Sequence, residues 1–265
     1  NKTRMDLPKI LAVIPARYAS SRFPGKVIVP IMDRPLVAHV YDQARKSRLI
    51  SDIVVATDDV RVCGALAPLG IPVAMTRSDH PSGTDRIAEV ARNSDAAIVV
   101  NVQGDEPLID PKTIDAAIQP LLDDAALAMA TARRRITDPA DIDNPNVVKV
   151  VCGLNGRALY FSRCPIPHVR DATDGGVSAQ CHWQHIGLYV YRRAFLLAYA
   201  SLPVTPLESL EKLEQLRALE HGHAIAVVDT EYQSIGVDTP EDIERVTELI
   251  AGHQRGVDQC QSTCS

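Results

Sequence analysis

The chain has 265 residues, with 28 lysines and arginines against 33 aspartates and glutamates, which gives a formal net charge of −5. Its content of 46% hydrophobic and 23% charged residues is typical of a globular protein with one large domain or two small ones. The acidic balance argues against nucleic acid or a membrane surface as the main partner, because both require a basic field. No run approaches the roughly 18 apolar residues of a membrane span, so we expect a cytoplasmic protein.

The first half of the chain alternates short apolar runs with longer mixed segments, which predicts strand–helix–strand units on a mostly parallel sheet. The strands are continuously apolar, which indicates that helices cover both faces, as in a doubly wound α/β sheet. The predicted strands are Ile10–Ile14, Ile53–Thr57, Pro72–Met75, Ala97–Val102 and Leu127–Thr131. The predicted helices are Pro35–Ser47, Asp59–Leu69, Thr84–Asn93 and Pro111–Leu122.

The pattern changes after about Arg133, where two short strands flank an Asn-Gly turn and predict an antiparallel hairpin. We interpret residues 147–192 as a small antiparallel insertion in a single α/β domain spanning 1–265, and 253–265 as a polar tail. A helix and a strand then return the chain to the sheet, before a last helix that starts with Thr-Pro-Glu-Asp. The elements predicted here are strands Val147–Cys152, Ala158–Phe161, Ile186–Tyr191 and Ile225–Asp229, helix Pro206–His221, and the last helix from Thr239.

The loop after the first strand carries three cations, Arg17, Arg22 and Lys26. Ligands of α/β sheets bind beyond the carboxyl ends of the strands, so this loop predicts a site for an anion such as a polyphosphate. It is not a Walker loop, since Ser20 stands where the first glycine is needed and Val27 where the hydroxyl residue is needed. A solvated basic loop is the alternative interpretation.

Two aspartates are predicted at this same edge of the sheet, one after a central strand and one just before the last helix. Asp105 lies in Gly-Asp-Glu-Pro after the strongest central strand, and Asp238 lies in Gly-Val-Asp-Thr-Pro. Carboxylate oxygens are the ligands that a hard divalent cation prefers, with water and substrate phosphates completing its shell. Together with the basic loop they predict a metal-bound triphosphate site. A simple turn for Asp105 and a helix-start acid for Asp238 remain open.

Two further segments carry candidate polar groups. The hydroxyls of Thr76–Arg86 are suited to bind a base or ribose, although Ser82 or Thr84 also fits a helix cap. On the predicted helix Pro206–His221, Glu214 falls within an apolar arc, which makes it a candidate to bind a polyol, whereas Glu208, Glu211 and Glu220 are predicted at the surface. A lone histidine such as His185 is more often structural than a ligand.

Eight segments in this order resemble the 3-deoxy-D-manno-octulosonate (Kdo) cytidylyltransferase family, the CMP-Kdo synthetases of bacterial lipopolysaccharide synthesis. The resemblance runs from about Ile10 to Val246, and eight ordered segments are more specific than any single motif. Asp85 departs from the glutamate expected at that position. The segments are Pro15–Lys26, Met75–Arg86, Asn101–Pro107, Asn146–Val150, Ala158–Arg163, His185–Tyr189, Leu213–Arg217 and Gly236–Asp242.

The resemblance implies a fold like that of the nucleotide-diphospho-sugar transferases and a reaction in which CTP and Kdo give CMP-Kdo and pyrophosphate with Mg²⁺. The anomeric hydroxyl of Kdo would attack the α-phosphorus in line, so catalysis would consist of positioning and charge neutralisation. The resemblance also implies a homodimer with the middle hairpin block at its interface. A CMP-sialate synthetase, an 8-amino-Kdo cytidylyltransferase and a non-catalytic nucleotide-sugar sensor are the alternatives.

The resemblance further implies four groups of site residues. The catalytic residues would be Lys26, Asp105, Asp238 and Arg17, with Asp105 and Asp238 as the magnesium ligands. CTP would be bound by Ala16, Arg17, Arg22, Lys26, Arg77, Ser82 and Gly104. The sugar acid would be bound by Gln103, His185, Tyr189, Glu214 and Gln215.

Overall fold

The computed structural model describes residues 7–19, 23–170 and 181–262, with side chains as far as residue 252. The strands within these ranges are β1 (Ile10–Pro15), β2 (Pro30–Ile31), β3 (Arg34–Pro35), β4 (Asp52–Thr57), β5 (Val73–Met75), β6 (Ile98–Asn101), β7 (Met129–Arg135), β8 (Lys149–Cys152), β9 (Ala158–Ser162), β10 (Trp183–Arg192) and β11 (Ile225–Asp229). The helices are α1 (Leu36–Ala44), α2 (Val60–Leu66), α3 (Gly83–Arg92), α4 (Pro111–Asp123), α5 (Ala140–Asp143), α6 (Arg193–Tyr199), α7 (Pro206–Glu211), α8 (Gln215–Glu220) and α9 (Pro240–Ser262).

The central sheet has the strand order β11-β7-β10-β6-β1-β4-β5. Strands β5, β4, β1 and β6 are parallel to one another, and β7 and β11 also form a parallel pair. Strand β10 runs antiparallel between β6 and β7. The predicted doubly wound, mostly parallel α/β sheet is therefore confirmed, and the carboxyl ends of β1, β4, β5 and β6 lie at one edge.

Alternate residues of β1 enter two separate hydrophobic cores, one on each face of the sheet. Ile10, Ala12 and Ile14 belong to the core that also contains residues of α1 and α4. Leu11 and Val13 belong to the core with residues of α3, α6 and α8. Because side chains alternate along a strand, a strand that is apolar at every position must be covered on both faces, as the sequence indicated.

The block at residues 147–192 is only partly an insertion. Strands β8 and β9 form the predicted antiparallel hairpin, with Gly156 at φ 71° in its turn. However, β10 is longer than the predicted strand Ile186–Tyr191 and lies in the middle of the main sheet. The chain therefore returns to the sheet before residue 206, and the hairpin is joined to β10 through the pairing of Lys149 with Gln184.

The predicted single helix Pro206–His221 is wrong. It is divided into α7 and α8 at Lys212, whose φ of 54° and ψ of 44° lie in the left-handed region. The expected surface positions of Glu208 and Glu211 are also wrong. Glu208 is buried against Arg217, and the Glu211 carboxylate accepts hydrogen bonds from the end of β9, while Glu220 is exposed as predicted.

No helix in the described part of the chain combines the length and the apolar character needed to cross a membrane.

Candidate active site

A cleft of ≈ 420 Å³ lies beyond the carboxyl ends of β1 and β6. It is bounded by the loop after β1, the loop after β6 and the start of α3, which are the segments that carry the predicted nucleotide motifs. Ligands of open α/β sheets bind at this position. The cleft is lined by Pro15, Arg17, Ala19, Lys26, Val27, Pro81, Ser82, Gly83, Gln103, Gly104 and Asp105.

Lys26, which lines this cleft together with Asp105, joins the two predicted acids. Its Nζ donates to Asp105 Oδ2 at 2.7 Å, to Asp238 Oδ1 at 3.2 Å and to the carbonyl of Val237 at 2.8 Å. Burial alone would lower the pKa of Lys26, but the two carboxylates outweigh it and the pKa is raised. The lysine is therefore an ammonium ion, and three of the four predicted catalytic residues meet at one point.

Asp105 and Asp238 also fit the chemistry of a magnesium site. Their carboxylates converge on one position, which the Lys26 ammonium contacts, so this position already favours positive charge. In the described residues, no group of three or more His, Cys, Asp or Glu side chains is placed to hold a metal ion. Two carboxylates leave coordination positions for phosphate oxygens and water, which is the usual way that Mg²⁺ binds a nucleoside triphosphate.

Gly104 allows the two loops of the cleft to approach each other. A Cβ atom at this position would lie 2.5 Å from the backbone oxygen of Pro15, which is closer than real Cβ atoms come to other atoms. Only glycine therefore fits between the loop that holds Asp105 and the loop that holds Arg17. Ala16, which follows Pro15, is fully buried, and its N–H donates to the carbonyl of Ala56 at 2.8 Å.

The remaining nucleotide candidates are divided between the cleft and its surroundings. Arg17 lines the cleft, and its guanidinium donates to the carbonyl of His80 at 2.8 Å. Ser82 also lines it while its hydroxyl caps α3 by accepting from the N–H of Asp85 at 3.2 Å. Arg77 is exposed and forms a bidentate pair with Asp79 outside the cleft lining. Arg22 lies outside the described residues.

Four of the predicted sugar-binding residues lie near one another, His185 and Tyr189 within β10 and Glu214 and Gln215 at the start of α8. The Tyr189 hydroxyl donates to Gln215 Oε1 at 3.2 Å, and the Thr84 hydroxyl donates to Glu214 Oε2 at 3.0 Å. The ring centroids of His185 and Tyr189 are 5.4 Å apart. Gln215 is buried, and its Nε2 is among the buried atoms without a hydrogen-bond partner.

Gln103 connects this group to the cleft. It lines the cleft, and its Cγ lies 3.9 Å from where a Cβ on Gly187 would be, within the stretch from His185 to Tyr189. Its amide donates to Asn101 Oδ1 at 3.2 Å. The two predicted binding regions are therefore neighbours along the edge of the sheet.

Burial determines the charge states in this second region. Desolvation raises the pKa of the Glu214 carboxyl and lowers the pKa of His185 to about 3, so the imidazole is neutral at neutral pH. The His185 Nε2 lies 2.9 Å from the Thr131 hydroxyl, which donates to the carbonyl of Leu188 at 2.7 Å. These bonds fix the irregular pairing of β10 with β7 between Ile186 and Tyr189.

Comparison with known proteins agrees with these motifs. The Cytidylyltransferase family profile matches residues 11–227. The 3-deoxy-manno-octulosonate cytidylyltransferase of Solibacter usitatus is 55% identical over 241 residues, which cover 91% of this chain and 94% of that protein. The chain belongs to the 3-deoxy-manno-octulosonate cytidylyltransferase family. The relative from Geobacter metallireducens is 53% identical over 253 residues, 93% of this chain and 99% of that protein.

A solved structure of a family member is also similar over most of the chain. CMP:2-keto-3-deoxy-manno-octonic acid synthetase complexed with CTP superimposes with a TM-score of 0.87 at 42% identity, over 92% of this chain and 99% of that one. The predicted family, α/β fold and enzyme class are thus confirmed. The roles of the individual site residues, the magnesium ion, the homodimer and the cytoplasmic location stay predictions.

Sequence analysis missed two buried groups beside the site. Glu106, which follows Asp105, accepts a hydrogen bond from the Tyr232 hydroxyl at 3.1 Å, and burial raises the pKa of its carboxyl to about 7. Arg86 is fully buried, bonds the Thr76 hydroxyl and lies 3.3 Å from Asp58 at the end of β4. Both lie within segments that were singled out, but nothing in a single sequence shows which charge of such a segment is buried.

Proposed function

We propose that this protein transfers CMP from CTP to Kdo, giving CMP-Kdo and pyrophosphate. The observation that carries the proposal is the convergence of Lys26, Asp105 and Asp238 beside a cleft at the carboxyl edge of the sheet. The names of the relatives support this reaction, and CTP is present in the solved family member.

The cleft supplies the positive charge that the triphosphate of CTP requires. A triphosphate carries about four negative charges, and a protein of net charge −5 can accept it only where cations are concentrated. Arg17 and Lys26 line the cleft, and Lys26 stabilises charge that develops on the α-phosphoryl oxygens. Gly104 permits the backbone of the loop after β6 to approach the nucleotide side of the site.

Asp105 and Asp238 are the residues that would hold Mg²⁺. When bound, the ion neutralises charge on the phosphates and favours departure of pyrophosphate. The protein contributes the two carboxylates and the ammonium of Lys26, which lies 2.7 Å from Asp105 Oδ2 and 3.2 Å from Asp238 Oδ1.

The region around Tyr189 and Gln215 is the proposed binding site for the sugar acid. Its donors and acceptors are a tyrosine hydroxyl, a buried carboxamide with an unpartnered Nε2 and the carboxylate of Glu214. Such groups suit a ligand with several hydroxyls, because a buried polar atom without a partner gains free energy when a ligand provides one. Gln103 lies between this region and the cleft, where the anomeric hydroxyl would meet the α-phosphorus.

We also propose that the protein is a homodimer that uses the β8–β9 hairpin. Leu154 and Leu159 on this hairpin are exposed, the latter by 65%. Within the described residues, β9 pairs as a strand with β8 alone, while Arg157 just before it forms a bridge with Ala226 of β11. The exposed leucines of the hairpin are therefore the surface that would meet a second copy.

The test is pyrophosphate release by the purified protein with Mg²⁺. The four arms are CTP with Kdo, CTP with sialic acid, CTP alone and UTP with Kdo. Release that requires both CTP and Kdo supports the proposal. Faster release with sialic acid would indicate a CMP-sialate synthetase, and 8-amino-Kdo in a fifth arm distinguishes that acceptor. CTP binding without release in any arm would indicate a nucleotide-sugar sensor.

A further inference from the structure

Glu211 is held by the end of strand β9 through both its side chain and its backbone. Its carboxylate accepts from the Ser162 hydroxyl at 2.7 Å and from the N–H of Arg163 at 2.9 Å. The Arg163 guanidinium in turn donates to the backbone carbonyl of Glu211 at 2.7 Å. Hydrogen bonds to an ionised group are stronger than neutral ones, so this contact fixes the end of α7 on β9.

Arg163 is itself fixed from two sides. Its guanidinium also donates to the carbonyl of Pro145 at 2.9 Å and approaches that of Lys212 at 3.4 Å. Its own carbonyl accepts from Lys149, which is fully buried, at 2.7 Å. Arg163 therefore connects the hairpin to the turn between α7 and α8, and neither end of this connection is free to move alone.

The connection explains why the helix is divided at Lys212. A residue with a Cβ atom rarely adopts the left-handed conformation seen there, and the sequence offers neither glycine nor asparagine at this position. The bonds from Arg163 to the carbonyls of Glu211 and Lys212 occupy acceptors that a continuous helix would use internally. Tertiary contacts, and not local preference, thus set the direction of α8.

The direction of α8 determines where two sugar-site residues lie. Glu214 and Gln215 follow Lys212 by two and three residues, and they meet Thr84 and Tyr189 at 3.0 Å and 3.2 Å respectively. Glu211 lies outside this contact group, because its carboxylate bonds the end of β9. Any effect of Glu211 on the sugar must therefore pass through the turn at Lys212.

We propose that Glu211, together with Arg163, is a positioning residue for the acceptor sugar. The pair holds the left-handed turn that places Glu214 and Gln215 beside Thr84 and Tyr189. In the described part of the chain, the hydrogen bonds of the pair go to β9 and to the segments around Pro145 and Lys212, and not to the residues that line the CTP cleft. This inference rests on the proposed function. It assigns a role in binding Kdo, and none in binding CTP, to a carboxylate that the sequence places at the surface.

The test compares the kinetics of Glu211→Gln with those of Glu248→Gln. A glutamine at 211 keeps the size of the side chain but removes the negative charge that strengthens the hydrogen bonds from Ser162 and Arg163, so the contact between α7 and β9 is weakened. Glu248 is an exposed glutamate of α9, outside this helix pair, and serves as the matched control. We expect the KM for Kdo to rise about 10- to 100-fold in Glu211→Gln, with the KM for CTP within about twofold of the unsubstituted protein.

Ser162→Ala provides a second, milder variant. It removes one donor to the Glu211 carboxylate and leaves the bonds between Glu211 and Arg163 in place. It therefore still tests the proposal if the Glu211→Gln protein folds poorly. We expect a rise of about three- to tenfold in the KM for Kdo alone.

An unchanged KM for Kdo in both variants, or an equal rise for both substrates, would overturn the positioning role. Absence of Kdo-dependent release by the unsubstituted protein would refute the proposed function itself, so the two failures are distinguishable.

Discussion

Replacing Gly104 with alanine tests whether the cleft depends on the close approach of its two loops. The added Cβ would lie 2.5 Å from the backbone oxygen of Pro15, whereas ordinary van der Waals contact begins at 3.4 Å. The loops after β1 and β6 must therefore separate by about 0.9 Å. Both partners are backbone next to a buried strand, so neither can move aside as a flexible side chain would.

The displacement falls on residues that the proposed mechanism requires. Asp105 follows Gly104 directly, and Arg17 lies two residues beyond Pro15, so the carboxylate and the guanidinium move apart. A misplacement of about 1 Å costs on the order of 10²-fold in a reaction that depends on positioning. We expect Gly104→Ala to lower kcat/KM for CTP by about 10²-fold while the sheet still forms.

The assay is steady-state pyrophosphate release with CTP varied at saturating Kdo, with circular dichroism and thermal melting as checks on folding. Gly64→Ala is the matched control, because no atom lies within 4 Å of the added Cβ and the residue is in helix α2. We expect that control to keep its activity and to gain about 0.5–1 kcal/mol of stability. A folded Gly104→Ala protein with kcat/KM within threefold of the unsubstituted value would refute the reasoning.

Three further predictions concern single charges. Lys26→Met should lower kcat by about 10²–10³-fold, because it removes a cation that stabilises the charge developing on the α-phosphoryl oxygens. Lys112→Met, at an exposed lysine, should leave kcat unchanged. Single-turnover kinetics measures both variants. Glu208→Gln should destabilise the fold by about 3–5 kcal/mol in urea denaturation, because it leaves the buried Arg217 without its ionic partner. An effect no larger than that of Glu248→Gln, at an exposed glutamate of α9, would contradict this. His185 has a pKa of about 3 in the fold against 6.5 unfolded, so stability is lost as the pH falls below 6.5, because the unfolded chain then binds the proton. The loss between pH 7 and pH 5 should be about 2 kcal/mol greater in the unsubstituted protein than in His185→Gln, and equal losses would exclude this role.

The parts of the fold and site that could be predicted depend on local patterns. The continuously apolar β1 and β6 indicated a sheet covered on both faces, and the rule that ligands bind at the carboxyl ends of strands brought Lys26 and Asp105 to the same edge. Asp238 reached them because β11 and the segment after it return to that edge. All three residues follow strands or begin helices, which are positions that a sequence reveals.

The parts that could not be predicted depend on contacts between distant segments. Nothing local shows that β10 lies between β6 and β7, because the neighbours of a strand are chosen by the whole chain. The helix pattern of Pro206–His221 contains no residue that would divide it after Pro206, and the break at Lys212 comes from Arg163, 49 residues earlier along the chain. Glu208 was expected at the surface of one continuous helix, whereas the break at Lys212 lets Arg217 of α8 fold back onto it and bury it.

The central claim is that Asp105 and Asp238, joined by Lys26, form the catalytic centre. The measurement that tests it most directly is the rate of pyrophosphate release from CTP and Kdo, with Mg²⁺ varied, by Asp105→Asn and Asp238→Asn proteins whose folding has been verified. The account predicts that both variants lose turnover at every Mg²⁺ concentration. Near-normal turnover in both would contradict it.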